Sequence, residues 1–196
     1  MNVIDSLRDV IKAESVAMQM LPEQIEESFE KAVQLIWNCK GKVILSGVGK
    51  SGHIGKKIAA SLASTGTPAF FVHATEGLHG DLGMIQQDDV VILISNSGET
   101  EEVLSLLPSL KKIGSVLIAI TSNKNSTLAK YCDTALTYQY DREADHLGLA
   151  PTTSTTLTLV IGDALAIVLS KLRNFRKEDF HLYHPGGSLG RQLSNK

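Results

Sequence analysis

The sequence predicts an α/β fold: a three-layer αβα sandwich built on a five-stranded parallel sheet and preceded by two N-terminal helices. Three observations carry this. From residue 42 onward, short apolar runs alternate with helical segments. Most of those runs are continuously apolar, as strands covered on both faces require. Polar loops rich in glycine, serine and histidine follow the strands. Strand–helix alternation of this kind places helices on both sides of a parallel sheet.

In chain order, Ile4, Leu7, Val10 and Ile11 recur at three and four residues, the stripe of an amphipathic helix. A second helix is expected from Pro22 to Cys39, with Ile25, Phe29, Val33, Ile36 and Trp37 on one face and Gly41 as its stop. The strands are KVILS (42–46), PAFFVH (68–73), DVVILIS (89–95), SVLIAIT (115–121) and DTALTY (133–138). Helical character fills 51–65, 99–112 and 124–131, and a longer helix fills 154–173. The tail HPGGSLGRQLSNK reads as irregular. The expected organisation is a helical segment, 1–40, packed on a single domain, 41–196, without linker or repeat.

Composition narrows the function. A chain of 196 residues can bury one full core, and 43% hydrophobic with 20% charged residues is ordinary for a soluble globular protein. A net charge of −2 gives no support for nucleic-acid or anionic-membrane partners, so a bound anion would be small and locally handled. Cys39 and Cys132 stand far apart in no metal-type spacing, which suits a reducing compartment. The opening MNVIDSLRDVIKAES carries acids early and no apolar core, so no secretory signal is expected. Runs such as Val90–Ile94 are too short to span a bilayer. A cytoplasmic location follows as the expectation.

The loops after the strands carry the chemistry. SGVGKSG follows the first strand, HATEGLHGD the second, SNSGET the third and TSNKNS the fourth. In an open parallel sheet such loops share one edge, where ligands bind. Gly47–Gly52 spells G-x-G-x-x-G, and Gly49-Lys50-Ser51 resembles the end of a P-loop. The P-loop spacing fails because Ile44 stands where its first glycine belongs. The dinucleotide fingerprint lacks an acid at the end of the next strand, which finishes at His73. What remains is a glycine loop opening a helix, a seat for an anion. Lys50 there faces the positive end of the helix dipole, unfavourable by about 0.3–1 kcal/mol unless an anion or a catalytic need offsets it. A solvated lysine is the plainer alternative. In SNSGET, Ser95, Ser97 and Thr100 surround Gly98 with hydroxyls and Asn96 adds an amide, a set suited to a phosphate monoester. Helix capping by Ser97 is the alternative there.

At these residues the sequence resembles the sugar isomerase (SIS) domain family, in which an S-x-S-G-x-T loop holds a sugar phosphate. GVGKSGHIGKKIAASLASTGTPAFFVHATEGLHGDLGMI, ISNSGETEE, LGLAPTTSTT, GDALA and HPGGSLGR are similar to blocks of the arabinose 5-phosphate isomerases of 3-deoxy-octulosonate (Kdo) synthesis. They stand in the expected order and cover most of residues 42–191.

The resemblance implies reversible conversion of ribulose 5-phosphate to arabinose 5-phosphate through a cis-enediol, with no cofactor required. Its four catalytic positions match Lys50, Glu102, Glu143 and His184. Lys50 would stabilise oxyanion charge or orient the substrate. Glu102 and Glu143 are the base candidates, and His184 would open the ring or shuttle the O1/O2 proton. Ser95, Asn96, Ser97 and Thr100 match the phosphate cradle, with Ser51 as a helper; Thr152 and Thr153 stand where hydroxyls reach sugar oxygens. Blander roles stay open: Glu102 as a solvated first-turn acid, Glu143 as part of a charged DREAD loop, His184 as a cap for the HPGG turn, Thr152 and Thr153 as N-caps.

His73 and His79, with Asp81 nearby, admit a divalent metal such as zinc, and His73 matches a metal-associated histidine of relatives. The isomerisation itself demands none, and contacts to sugar hydroxyls explain both histidines equally. The resemblance also implies a homotetramer with sites completed between subunits. A nucleotide-sugar end product is a further expected partner, as regulator. Long members of the family continue into a pair of cystathionine-β-synthase-type modules, whereas this chain ends at Lys196, so a short form is expected. Two competing readings remain: a non-catalytic sugar-phosphate sensor, which would not need the acid–base set, and an isomerase for another ketose phosphate.

Overall fold

Side chains alternate across the central strands, and that alternation builds two cores. In the computed structural model, which describes residues 2–185, five parallel strands form one sheet in the order β2-β1-β3-β4-β5. They are β1 (Val43–Gly47), β2 (Ala69–His73), β3 (Val90–Ile94), β4 (Val116–Thr121) and β5 (Thr134–Thr137). Val43, Leu45, Ile92, Ile118 and Ile120 face one core, while Ile44, Val91, Leu93, Leu117 and Ala119 face the other. The period of two along each strand makes this division. The three-layer architecture expected from the sequence is therefore the architecture observed.

The first layer holds α2 (Glu27–Trp37), α3 (Gly49–Ser64) and α8 (Thr153–Leu172), and α1 (Val3–Met20) packs on α8. The second holds α4 (Ala74–Leu78), α5 (Glu101–Leu104), α6 (Leu107–Ile113) and α7 (Thr127–Tyr131). Ala17, Phe29, Ala32 and Ile36 of the N-terminal helices join the first core. By length and composition α8 is apolar enough to cross a bilayer. Here Leu157, Ile161, Leu165 and Leu169 bury one face of it in the core, and a Cβ on Gly162 would stand 2.4 Å from Ile58 of α3.

Several expected boundaries move. The single helix over 99–112 is two helices, because Pro108 lacks an N–H and its ring excludes the helical carbonyl four residues earlier. Ser105 closes α5 by donating to the Glu101 carbonyl, and Pro108 then sits in the first turn of α6. The second N-terminal helix starts at Glu27, after a 3-10 turn at Pro22–Gln24. HATEGLHGD is helical and not a plain loop: α4 is followed by a 3-10 turn, Asp81–Met84. A further helix, α9 (Lys177–Tyr183), was not expected, since FRKEDF offers no apolar stripe.

The glycines of the opening loop have structural work. Gly49 takes φ +55°, the left-handed region that favours glycine. A Cβ on Gly52 would lie 3.1 Å from the Gly47 carbonyl oxygen and 3.4 Å from the Phe71 ring of β2. Close helix–strand packing accounts for that part of the dinucleotide-like pattern.

Candidate functional site

Strand order places the site. The chain passes from β1 to β2 on one side, then returns so that β3 pairs with the other side of β1. The loops after β1 and β3 therefore flank the crevice where the winding reverses, the usual ligand position in such sheets. Lys50 and Ser51 lie in the first turn of α3, whose N-cap, Val48, contributes no side-chain bond. The leading backbone N–H groups there have no intrahelical partner. Lys50 is exposed and makes no ion pair among the described residues. On the neighbouring loop Glu102 is exposed in the first turn of α5.

Residues 95–100 are held in a set shape by their own hydroxyls. Ser95 is buried; its Oγ shares a 2.7 Å hydrogen bond with Thr100 Oγ1 and accepts from the Gly98 N–H at 3.0 Å. Gly98 takes φ +70°, and a Cβ there would fall 2.1 Å from Ser126 Oγ. Glu99 accepts from the Thr127 N–H at 2.7 Å, and that backbone bond, with Thr127's side chain, holds its carboxyl below its ordinary pKa. The exposed Ser97 hydroxyl accepts from the Glu99 N–H at 3.2 Å. The turn is thus braced by its own hydrogen bonds, with the exposed Ser97 and the start of α5 on its outer side.

Asn96 serves a different purpose from its neighbours. Its Nδ2 donates to Tyr140 Oη at 2.9 Å, and its Oδ1 accepts from Tyr138 Oη at 3.0 Å. Both ends of the amide are engaged inside the protein, which gives Asn96 a supporting role toward the two tyrosines.

Tyr140 leads to the main acid. Its hydroxyl donates to Glu143 Oε1 at 2.9 Å. Glu143 Oε2 accepts from the Thr152 N–H at 2.8 Å, the Thr152 hydroxyl at 3.2 Å and the Ser154 N–H at 3.2 Å. Glu143 is buried, and burial opposes its charge. The bonds from Ser154, Thr152 and Tyr140 together outweigh that penalty and hold its pKa below the usual carboxylate value. Its position also satisfies orphan N–H groups at the start of α8. The charged DREAD segment is therefore no solvated loop around its acid.

Thr152 is spent on this arrangement, since its hydroxyl also accepts from the Ala144 N–H at 2.8 Å. Thr153 is buried with a hydroxyl that meets no protein partner. It borders a cleft of about 400 Å³ shared with Lys12, Tyr140 and Arg142. The largest cavity described, about 1070 Å³ between α2 and α8, shares no residue with the candidate site. It is an apolar surface groove and is remote from the chemistry.

The histidines divide. His73 ends β2, opposite Gly47, and its Nδ1 accepts from the Thr75 N–H at 3.3 Å, which leaves only Nε2 outward. His79 and Asp81 are exposed. Among the described residues no group of three or more His, Cys, Asp or Glu converges on a metal position. The residues present thus form no built metal centre, and no chemical step is derived through one.

His184 stands elsewhere. It follows α9, donates from Nδ1–H to the Phe180 carbonyl at 2.8 Å, and stacks on the Phe180 ring. The adjacent Tyr183 stacks on Phe175, whose ring lies against Gly66 just before β2. That is the amino edge of the sheet, opposite Lys50, Glu102 and Glu143. The chain brings three of the four expected catalytic residues to one edge and leaves His184 at the other. The HPGG turn beyond Pro185 lies outside the described residues.

Tyr138 and Tyr140 were missed by sequence reasoning. A signal existed: two tyrosines two residues apart, directly before a buried acid, continue the β5 run across the site edge.

The SIS domain family matches residues 35–168. An arabinose 5-phosphate isomerase KpsF of Escherichia coli O6:H1 strain CFT073 is 56% identical over 192 residues, 97% of this chain and 59% of that protein. An arabinose 5-phosphate isomerase KdsD of Yersinia pestis is 55% identical over 186 residues, 95% of this chain and 57% of that protein. The chain thus spans somewhat under two thirds of these curated relatives. The solved structure of E. coli CFT073 c3406 in complex with arabinose 5-phosphate is 50% identical, with a TM-score of 0.91, covering 94% of this chain and 100% of that one.

Proposed function

We propose that this chain, which belongs to the SIS domain family, interconverts D-ribulose 5-phosphate and D-arabinose 5-phosphate in the supply of Kdo. The observation that carries this reading is Glu143: a buried, ionised carboxylate fixed by four hydrogen bonds, tied to the 95–100 loop and placed at the ligand edge of the sheet. The names of the relatives support the choice of pentose phosphate.

An aldose–ketose shift moves a proton between C1 and C2 and passes negative charge to O1 or O2. Glu143 is the base in this reading, because its orientation is fixed and it is charged at neutral pH. Lys50, exposed at the start of α3, stabilises the oxyanion. The phosphate sits on Ser97, Thr100 and the leading N–H groups of α5, with Ser51 assisting from the facing helix. Glu102 and the outward Nε2 of His73, with His79, border the sugar.

His184 serves a neighbouring subunit's site in a homotetramer. The exposed apolar residues Ile4, Leu7 and Ile11 of α1 and Ile167 of α8 support such an assembly. The reaction needs no metal or redox cofactor, and chelator dialysis that abolished turnover would contradict this. The two free cysteines suit a cytoplasmic setting. Incubation with a panel of pentose, hexose and heptose phosphates tests the whole reading. Turnover of ribulose 5-phosphate above the others is expected; tight binding without turnover would make the chain a sensor.

A further inference from the structure

Resting on the isomerase reading above, we propose that Tyr140 is a positioning residue for Glu143 and that Asn96 holds Tyr140 in that role, so that the phosphate loop and the base carboxylate form one hydrogen-bonded unit. The carboxylate fixes every proton in this chain. An ionised Glu143 only accepts, so Tyr140 must donate to Oε1. Tyr140 has one proton, so the Asn96 atom facing it must be the donor, Nδ2. The amide oxygen then faces Tyr138, which must donate to it. A flipped amide would leave two acceptors against each other, so the orientation follows from the network.

The two carboxylate oxygens differ as a result. Oε2 takes three donors, from Thr152 and Ser154, whereas Oε1 takes only Tyr140. Oε1 is therefore the oxygen with capacity for a substrate proton, and Tyr140 sets its direction. Asn96 is anchored in turn, since its carbonyl accepts from Thr121 Oγ1, Ser122 N and Ser122 Oγ on the β4 loop. A shift of the 95–100 turn is thereby transmitted to the base through two side chains.

The other groups around the carboxylate are few. Tyr138 faces it from the end of β5; its own pKa is raised by burial and, in smaller part, by the Glu143 charge. Asp141 and Arg142 flank it in sequence, and Asp9 and Lys12 of α1 line the cleft on the far side of Tyr140. From α8 only the hydroxyls and N–H groups of Thr152, Thr153 and Ser154 approach. The Ser154 side chain acts on both Glu143 and Tyr140, and Tyr140 is the side-chain donor placed on Oε1.

The test compares Tyr140→Phe, Asn96→Ala and the double variant in the full chain. It reads kcat and KM for ribulose 5-phosphate against pH, and the Glu143 titration by carboxyl-carbon NMR, assigned with Glu143→Gln. For Tyr140→Phe, kcat is expected to fall about tenfold to a hundredfold, with KM nearly unchanged. The Glu143 midpoint and the acid limb of the rate profile should rise together, because a bond favouring the charged form is lost. Asn96→Ala should move both in the same direction by less, and the double variant should be no worse than Tyr140→Phe. An unmoved Glu143 midpoint in Tyr140→Phe, or additive losses in the double variant, would overturn the proposal. Absence of pentose-phosphate turnover in the unaltered protein would sink the isomerase reading alone, since the NMR midpoint still decides the positioning role.

Discussion

Helix α8 begins on a buried carboxylate and ends on a stack of rings. At its start, Glu143 satisfies the first N–H groups and is oriented by Tyr140. At its end, Arg173 lies over the Trp37 ring at 5.2 Å and donates to Thr67 Oγ1, and Phe175 fills the space beside Gly66. His184 belongs to this second end, on the Phe180 ring. A helix of 20 residues separates the two, a distance of about 30 Å. One end is polar, satisfied and charged; the other is aromatic and carries the imidazole of His184 on the Phe180 ring. The difference teaches that Glu143 and His184, both proposed for one reaction, stand at opposite edges of the sheet within one chain.

The largest effect should come from the polar end. Glu143→Gln is expected to lower turnover by about 10²–10⁴, while an unreactive phosphosugar binds with nearly unchanged affinity in a titration. Glu102→Gln, on an exposed side chain, should cost only about tenfold. Equal losses would break the distinction between the two acids. The same variant tests stability. Because Glu143's pKa is depressed in the fold, its contribution is present above the ordinary carboxylate value and lost as pH falls through the depressed one. Thermal unfolding of Glu143→Gln should therefore show a weaker acid dependence than that of the unaltered protein.

A smaller effect is expected at the loop that the polar end leans on. Gly98→Ala would meet Ser126 Oγ and force an alanine into φ +70°. Displacing the Ser126 cap from the Ala129 N–H adds a loss, and together these cost about 2 kcal/mol. Calorimetry should show a midpoint lowered by about 4–8 °C. No change would mean that the turn is softer than its contacts imply.

Much of this was legible in the sequence, and the reasons are physical. Continuous apolar runs marked β1, β3 and β4 within a residue or two, because strands buried on both faces favour them. The edge strands β2 and β5 fell at the expected spacing. The placement of Lys50 and of the serines of the 95–100 turn at the carboxyl edge of the sheet was legible because they follow strands closely. The tie of Asn96 to Tyr138 and Tyr140 was not legible, because those partners lie over forty residues away. The bonds of the Thr152 hydroxyl to Glu143 and Ala144 were likewise not legible, because they depend on how the 141–152 loop folds back. The break at Pro108 was written in the chain and overridden by the apolar stripe around it. The opposite placement of His184 was not legible at all, since it depends on where Phe175 docks.

The division between the two ends of α8 is tested most directly by coexpressing Glu143→Gln with His184→Ala, each inactive alone. A site completed between subunits would take Glu143 from one chain and His184 from the other, and random mixing would restore about a quarter of the unaltered activity. Mixed oligomers that stay as inactive as either parent would contradict the account.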